Sequence, residues 1–518
     1  MRIAPPLLLS CLLGYGCVSG GADPPGEEPT FEPAPVVVFV MVDTLADGYL
    51  GHHHPSWDVT PRVDDLLAES TVLENTLTVR GLTSVAVSSI LTGVYPRRHF
   101  VRNNANRKRP EQLLLAERFH EAGYRTHGYA ANVCQFIDEG VDDRYCTWPV
   151  ELPDPSMSLR VRDELLVEQL LARLTERPVD EPTFIWLHLM HPHKPYLRVD
   201  PWYGEFHPEP YEGKLGDQLD DQLDLSALGE MELDDDDRAH ALAVYASQVR
   251  ETDRLIGELF DGLEELGRWQ DAVVVFGADH GEELGEHHGY YWHSCSPYLP
   301  VNRVLFAVRA PGRVPAGQVL TDWVSVTDVA PSLIEVAGQT WSGELDGVSL
   351  VDGMLAGTLP SRPVYLERGE EAAGIISDGY LYLRDEKQGY GDCMPYNQST
   401  DELFPGEREE LYDLASDPAQ HEDLAEIEPQ ITERLRKELC GWVSEDVWMQ
   451  NPDANERNGL VQACDEVMGT AEGSDDEASP LEETGGCRLG RRSAPPGWAP
   501  MALLLTIAVT VVARTRGR

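Results

Sequence analysis

The stretch Val273-Val-Val-Phe-Gly-Ala-Asp279-His280-Gly-Glu-Glu-Leu-Gly-Glu-His287-His288 decides how this chain folds. Four apolar residues in succession predict a strand covered on both faces, as in a parallel sheet. The strand stops in an Asp-His-Gly turn crowded with acids and imidazoles. A carboxylate and an imidazole at a strand's C-terminal end stand where open α/β sheets place their ligands, and the pair suits a divalent metal. A second apolar strand, Pro35-Val-Val-Val-Phe-Val-Met-Val-Asp43-Thr44, also ends in an acid. Two such strands delivering carboxylates to one sheet edge predict a metal site at Asp43, Asp279 and His280.

The rest of the body alternates strand and helix as a parallel sheet requires. Thr60-Pro61 opens a helix, with Thr60 as its N-cap and Pro61 in the first turn. Residues 113–123 read as a helix, His127-Gly-Tyr-Ala-Ala-Asn132 as a strand and Thr183-Phe-Ile-Trp-Leu-His188 as another. Residues 217–237 read as an acidic, solvated loop, and residues 245–267 as a long amphipathic helix. The expected fold is α/β: a large, mostly parallel central sheet with helices on both faces (36–345), then a small C-terminal α+β subdomain (346–468).

A chain of 518 residues, 42% of them hydrophobic, has ample material for these cores. Its formal net charge of −48 excludes nucleic acid as a partner, because a polyanion is repelled. An anionic substrate would need local positive charge at the site, such as a metal.

Both ends read as addresses. Residues 1–17 have the basic start and apolar run of a secretory signal, and Cys17 after Gly16 resembles a bacterial lipoprotein cleavage site. Residues 18–35 form a flexible Gly/Pro/Glu spacer. Residues 469–496 are an acidic, Gly-containing linker that includes Gly486-Cys487, residues 497–513 an apolar run of about the minimum spanning length, and 514–518 an arginine-rich tail that favours the cytoplasmic side. Gly-Cys, apolar helix and terminal arginines together resemble the C-terminal sorting signal of myxobacterial surface proteins. That resemblance implies a removable tail with Cys487 used for anchoring; the ordinary alternative is a permanent span. Either way the body is expected outside the cytoplasm, at the cell surface or outer membrane. Of nine cysteines, setting aside Cys11, Cys17 and Cys487 leaves 9 − 3 = 6. An even number in an exported chain predicts disulfides, with Cys134–Cys146 and Cys440–Cys464 preferred.

Arg80-Gly81-Leu-Thr83-Ser84-Val-Ala-Val-Ser88-Ser89-Ile-Leu91-Thr92-Gly93-Val-Tyr95-Pro96 makes a resemblance specific. Small hydroxyl residues followed by Leu-Thr-Gly-x-Tyr-Pro are similar to the active-site helix of the sulfatase family, within the alkaline phosphatase superfamily. That family carries its nucleophile ten residues before the Gly, which falls on Thr83. A hydroxyl at a helix start also gains from the exposed amides and the dipole. The family's maturation motif, which converts Cys or Ser to formylglycine, continues x-Pro-Ser-Arg. Here Val85, Ala86 and Val87 replace Pro, Ser and Arg, so a formylglycine mechanism is not expected.

The resemblance implies further roles. Pro192-His193-Lys-Pro-Tyr196 resembles the family's substrate-binding histidine loop and assigns His193 to the ester oxygens or leaving group, with His188 as a neighbouring contact. Tyr290-Tyr-Trp-His293 matches the loop that carries a Lys or His beside the leaving group, so His293 becomes the general acid. Arg102 and Asn103 supply donors for an anionic ester. The expected reaction has Thr83, itself a ligand of the metal, attack sulfur or phosphorus. Oxygen-rich ligation points first to calcium, with zinc, manganese or magnesium as alternatives. The expected partner is a sulfated or phosphorylated small molecule or polysaccharide. Two further readings stay open: a phosphodiesterase or phosphotransferase using Thr83, and a catalytically inactive surface binding protein, since Ala46 and Gly48 stand where many relatives have Arg and Asp. The sequence leaves oligomeric state open.

Overall fold

The computed structural model describes residues 31–54, 57–147, 159–208, 210–227, 231–287, 289–294, 296–368, 372–385, 408–444 and 459–469. The signal, most of the spacer, the linker beyond 469, the apolar run, the arginine tail, His288, Cys295 and Cys393 lie outside them. No helix among the described residues is long and apolar enough to cross a membrane.

Nine strands form the main sheet: β1 (Val36–Val42), β2 (Thr71–Leu77), β3 (Arg125–Ala130), β4 (Asp143–Cys146), β5 (Thr183–Leu189), β6 (Val273–Ala278), β7 (Arg303–Arg309), β8 (Gln318–Leu320) and β9 (Val324–Ser325). Their spatial order is β4-β3-β5-β1-β6-β7-β2-β8, with β9 also pairing with β2. From β4 to β6 every pairing is parallel. β7 runs antiparallel to both of its neighbours, β6 and β2. β2 therefore points the same way as β1, β5 and β6, and all four end at one sheet edge. The sequence of β1, all apolar and β-branched apart from Phe39 and Met41, is buried along its whole length. This is what a central strand with helices on both faces requires.

The long helix Asp235–Glu265 begins about ten residues earlier than its apolar periodicity suggests. The aspartate run is the reason. Asp234 accepts hydrogen bonds from the amides of Asp236 and Asp237, and acids in a first turn are stabilised by the helix dipole. Helix Asp220–Ala227 occupies another part of the segment expected as a loop. Thr60 does precede helix Pro61–Ala68, but its hydroxyl accepts from the Gly51 amide rather than capping the helix.

A second, antiparallel sheet contains β10 (Val364–Arg368), β11 (Ala372–Ser377), β12 (Tyr380–Asp385) and β13 (Arg408–Asp413), in that order. It falls within the expected C-terminal α+β region, beside helix Pro429–Val443. Cys134–Cys146 and Cys440–Cys464 are both disulfide-bonded.

Candidate active site

The register of the central strands builds the site. In the parallel pair β1–β6, Val42 stands opposite Ala278, so the next residues, Asp43 and Asp279, leave the sheet side by side. Both are wholly buried, as is His280. The amides of Thr44 and His280 donate to Oδ1 of Asp279 at 3.3 and 2.8 Å. Nδ1 of His280 lies 3.0 Å from the carbonyl oxygen of Gly281. A carbonyl only accepts, so Nδ1 carries the proton and Nε2 presents its lone pair. That lone pair faces Oδ1 of Asp43 at 3.7 Å and Oδ2 of Asp279 at 3.6 Å, and neither oxygen has a hydrogen-bond partner. The turn fits only glycine at 281, where a Cβ would fall 2.1 Å from the Pro300 carbonyl oxygen.

Three lone-pair donors converging in a buried space repel one another unless a cation lies between them. The Asp43 carboxyl registers this: burial, then the charges of Asp279 and Glu282, push its pKa well above the carboxylate range. The donor set therefore fits a divalent metal.

Beyond β2, the Thr78 hydroxyl donates to the Asp279 carbonyl at 2.7 Å and helps fix the chain that leads to Thr83. Thr83 is the first residue of helix Thr83–Thr92, and every side chain of that helix is buried. Its Oγ1 lies 3.5 Å from Oδ2 of Asp43 and 3.5 Å from Nε2 of His280. The hydroxyl thus stands within reach of the same point as the metal donors. Val85, Ala86 and Val87 are core residues here, so the sequence that replaces the maturation motif serves packing.

Two further imidazoles lie beside this group. His293 is buried, with Nδ1 at 3.1 and 3.2 Å from the two Glu282 oxygens. Its ring stacks on Trp292, with centroids 4.2 Å apart, and lies 4.6 Å from the His280 ring and 5.1 Å from His193. Burial and then His280 hold the pKa of His293 below its ordinary value. Burial pushes Glu282 up to about 8, against the pull of His280. For His193, burial and then His293 act in the lowering direction. The Lys194 ammonium pairs with Asp224 at 2.7 Å and lies 5.0 Å from the Trp292 ring centre. It places one cation beside the histidines.

The sulfatase family model matches residues 35–339. The chain belongs to the sulfatase family. That makes it a member of a family of hydrolases acting on sulfuric esters. An arylsulfatase of Clostridium perfringens is 23% identical, with 76% of this chain and 91% of that protein covered. A choline-sulfatase of Rhizobium meliloti is 25% identical, covering 76% and 82%. Among solved structures, a protein in complex with its substrate D-glucosamine-2-N,6-O-disulfate superposes with a TM-score of 0.64 at 17% identity, over 82% of this chain and all of that one (100%). The phosphonate monoester hydrolase of Agrobacterium radiobacter gives 0.60 at 18% identity, over 79% and 95%. The structural likenesses carry the α/β fold.

In this sulfatase-family chain the residues anticipated from sequence fall into two groups. Asp43, Thr83, Asp279, His280, His193 and His293 come together at the edge formed by β1, β2, β5 and β6. His188, on β5, lies beside them: it is wholly buried, neither ring nitrogen has a hydrogen-bond partner, and Nε2 is 4.0 Å from Oδ2 of Asp279. Burial pushes its pKa down to about 4, so it is neutral at pH 7. Arg102 instead pairs with Glu367 of the second sheet. Asn103 is exposed, and its carboxamide accepts from the amides of Ala105 and Asn106 to close a turn. Its neighbour Asn104 reaches helix Thr83–Thr92, accepting from the Ser84 amide at 3.1 Å.

Lys194, Asn132 and Glu282 stand at the site with no anticipated role. Asn132 donates toward Oδ2 of Asp43 at 3.5 Å. Glu282 holds His293. The signal for Glu282 was in plain view, an acid directly after Asp-His-Gly, but an acid in an acidic turn carries no mark of its partner.

Proposed function

We propose that this chain is a metal-dependent hydrolase of monoanionic sulfate esters in which Thr83 is the nucleophile. The observation that carries this reading is the Thr83 hydroxyl, 3.5 Å from both Asp43 and His280 at the start of a buried helix. Asp43, Asp279 and His280 would hold the metal. When bound, the metal would supply positive charge that lowers the hydroxyl's pKa and offsets the ester's charge. Thr83 Oγ, its proton passing to the Asp43 carboxylate that it faces, then forms the bond to sulfur while the bond to the leaving oxygen breaks. Glu282, kept protonated by burial, donates to Nδ1 of His293, so that Nε2 carries the proton that passes to that oxygen while Glu282 resupplies Nδ1. His193 and Lys194 stand where they can orient the remaining ester oxygens. Water then cleaves the threonyl ester and restores the hydroxyl.

Charge favours a singly charged ester. The pocket holds the carboxylates of Asp43 and Asp279, with Lys194 as a nearby cation, and Arg102 is engaged elsewhere. A sulfate monoester or a diester carries one negative charge and a phosphate monoester nearly two, so the last is repelled most. The unmodified threonine favours a second reading, a phosphodiesterase or phosphotransferase, since an alcohol nucleophile without formylglycine suits either ester. Calcium is the leading metal for the oxygens of Asp43, Asp279 and Thr83, with manganese or zinc favoured by the imidazole. Two disulfides support work in an oxidising compartment, in keeping with export to the cell surface. The relatives' printed names, and the saccharide disulfate held by one structural neighbour, support a sulfated small molecule or saccharide as substrate.

Turnover of nitrophenyl sulfate, phosphate and bis-nitrophenyl phosphate by wild type and Thr83→Ala tests the proposal. The sulfate ester should be the best substrate, the variant should lose about 10³-fold or more in kcat, and a chelator should abolish activity until metal is restored. Unchanged turnover in Thr83→Ala excludes the nucleophile; preference for the diester selects the second reading.

A further inference from the structure

Gly51-His52-His53-His54 follows the loop that leaves Asp43, and two of its three imidazoles turn toward β2. Nε2 of His52 lies 3.2 Å from Oε2 of Glu74, and Nδ1 of His53 lies 3.8 Å from Oε1 of the same carboxylate. The donor atoms of His52, His53 and Glu74 all fall within 4.8 Å of one another. His54 takes no part and stacks on Trp57, with ring centroids 5.1 Å apart. On the far side of His53, Nε2 stands 3.1 Å from Oδ1 of Asp47, and Arg303 approaches the other Asp47 oxygen at 3.0 Å. Asp47 is buried, yet neither of its oxygens has a well-aligned hydrogen bond.

We infer that His52, His53 and Glu74 form a second metal site for zinc or a similar borderline cation, with the fourth position left to water, separate from the Asp43–Asp279–His280 centre.

Three features of the geometry carry this. Tetrahedral zinc with bonds of about 2.1 Å sets its ligands about 3.4 Å apart, and the separations of 3.2 and 3.8 Å bracket that value. Two imidazoles and one carboxylate are zinc's own choice of donors, while hard cations such as calcium prefer six or more oxygens. Asp47 stands in the place of a carboxylate behind a ligating imidazole, which accepts from the outer N–H and turns the other lone pair toward the metal. Bound there, the metal would tie the loop that follows Asp43 to the strand that leads to Thr83, bracing both halves of the active site from outside.

The test is zinc titration of the chelator-stripped full chain, followed by calorimetry and elemental analysis. Wild type should take up about two equivalents of zinc. His53→Ala and Glu74→Gln should each lose one equivalent and keep the other, whereas Asp279→Asn should lose the complementary one. Wild-type stoichiometry in both His53→Ala and Glu74→Gln would overturn the inference. X-ray absorption on Asp279→Asn loaded with one equivalent of zinc gives a readout that leaves this site unaltered. A first shell with two imidazoles supports the site, and a shell with fewer overturns it.

Discussion

His293 shows how much of the proposed chemistry depends on single contacts. Its Nδ1 is occupied by Glu282, so in the proposed reaction only Nε2 would be available to a departing oxygen. A general acid matters in proportion to how badly the leaving group needs its proton. His293→Ala should therefore reduce kcat about 10²- to 10³-fold on an alkyl sulfate but about 10-fold or less on nitrophenyl sulfate. Equal losses on both substrates would assign His293 to binding rather than proton transfer. At this scale the sequence was informative where a residue's place follows from its strand. Asp43 and Asp279 end apolar runs that had to be central, and their juxtaposition follows from parallel pairing. Arg102 was illegible for the opposite reason. Its partner Glu367 lies on another sheet, and no local pattern in a basic loop distinguishes a guanidinium held by a distant carboxylate from one awaiting substrate.

Among elements, β4 at the sheet's edge shows how charge secures a strand that packing covers poorly. Asp143 receives Arg125 at 2.9 Å, Arg173 at 2.6 Å and Arg177 at 3.0 Å. Burial works to raise its pKa, but the hydrogen bonds from Arg173 and Arg125 outweigh it and bring the carboxyl down to about 2. An unfolded aspartate titrates near 3.9. The ionised form therefore favours the fold, fully above about pH 4, and this contribution is lost as pH falls toward 2. Asp143→Asn should lower stability by about 1–2 kcal/mol at pH 7, and urea melts should show the gap to wild type closing between about pH 4 and pH 2. A gap that stays constant with pH would remove the ion cluster as its cause. The long helix teaches a related lesson about reading elements. Hydrophobic periodicity located its packed body, but Asp234 to Asp237 looked like a solvated charge run. The same acids are favourable in a first turn, and Asp234 accepts the amides that would otherwise stay unpaired.

For the whole molecule the dominant quantity is the net charge of −48. An anionic ester approaching this surface is repelled before it reaches Lys194 or a metal. Raising ionic strength from about 0.01 M to about 0.15 M shortens the Debye length from about 30 Å to about 8 Å. The value of kcat/KM for a sulfate ester should rise over that range, and a fall would show that the field at the mouth of the site is positive despite the overall charge. The fold class was readable in advance because alternating strand and helix admit few sheet topologies. The reversal at β7 was not, since its apolar run carries no sign of direction.

That reversal divides the labour of the site. β7 returns beside β6, so the single connection between them begins with Asp279 and His280 and carries Glu282 and His293 before re-entering the sheet. Thr83, the proposed nucleophile, arrives separately, on the segment that follows β2. In the proposed reaction the β6–β7 connection therefore carries two of the three metal donors together with the group that would protonate the departing oxygen, so a loop grafted from a relative exchanges both at once and leaves only Asp43 and the hydroxyl in place.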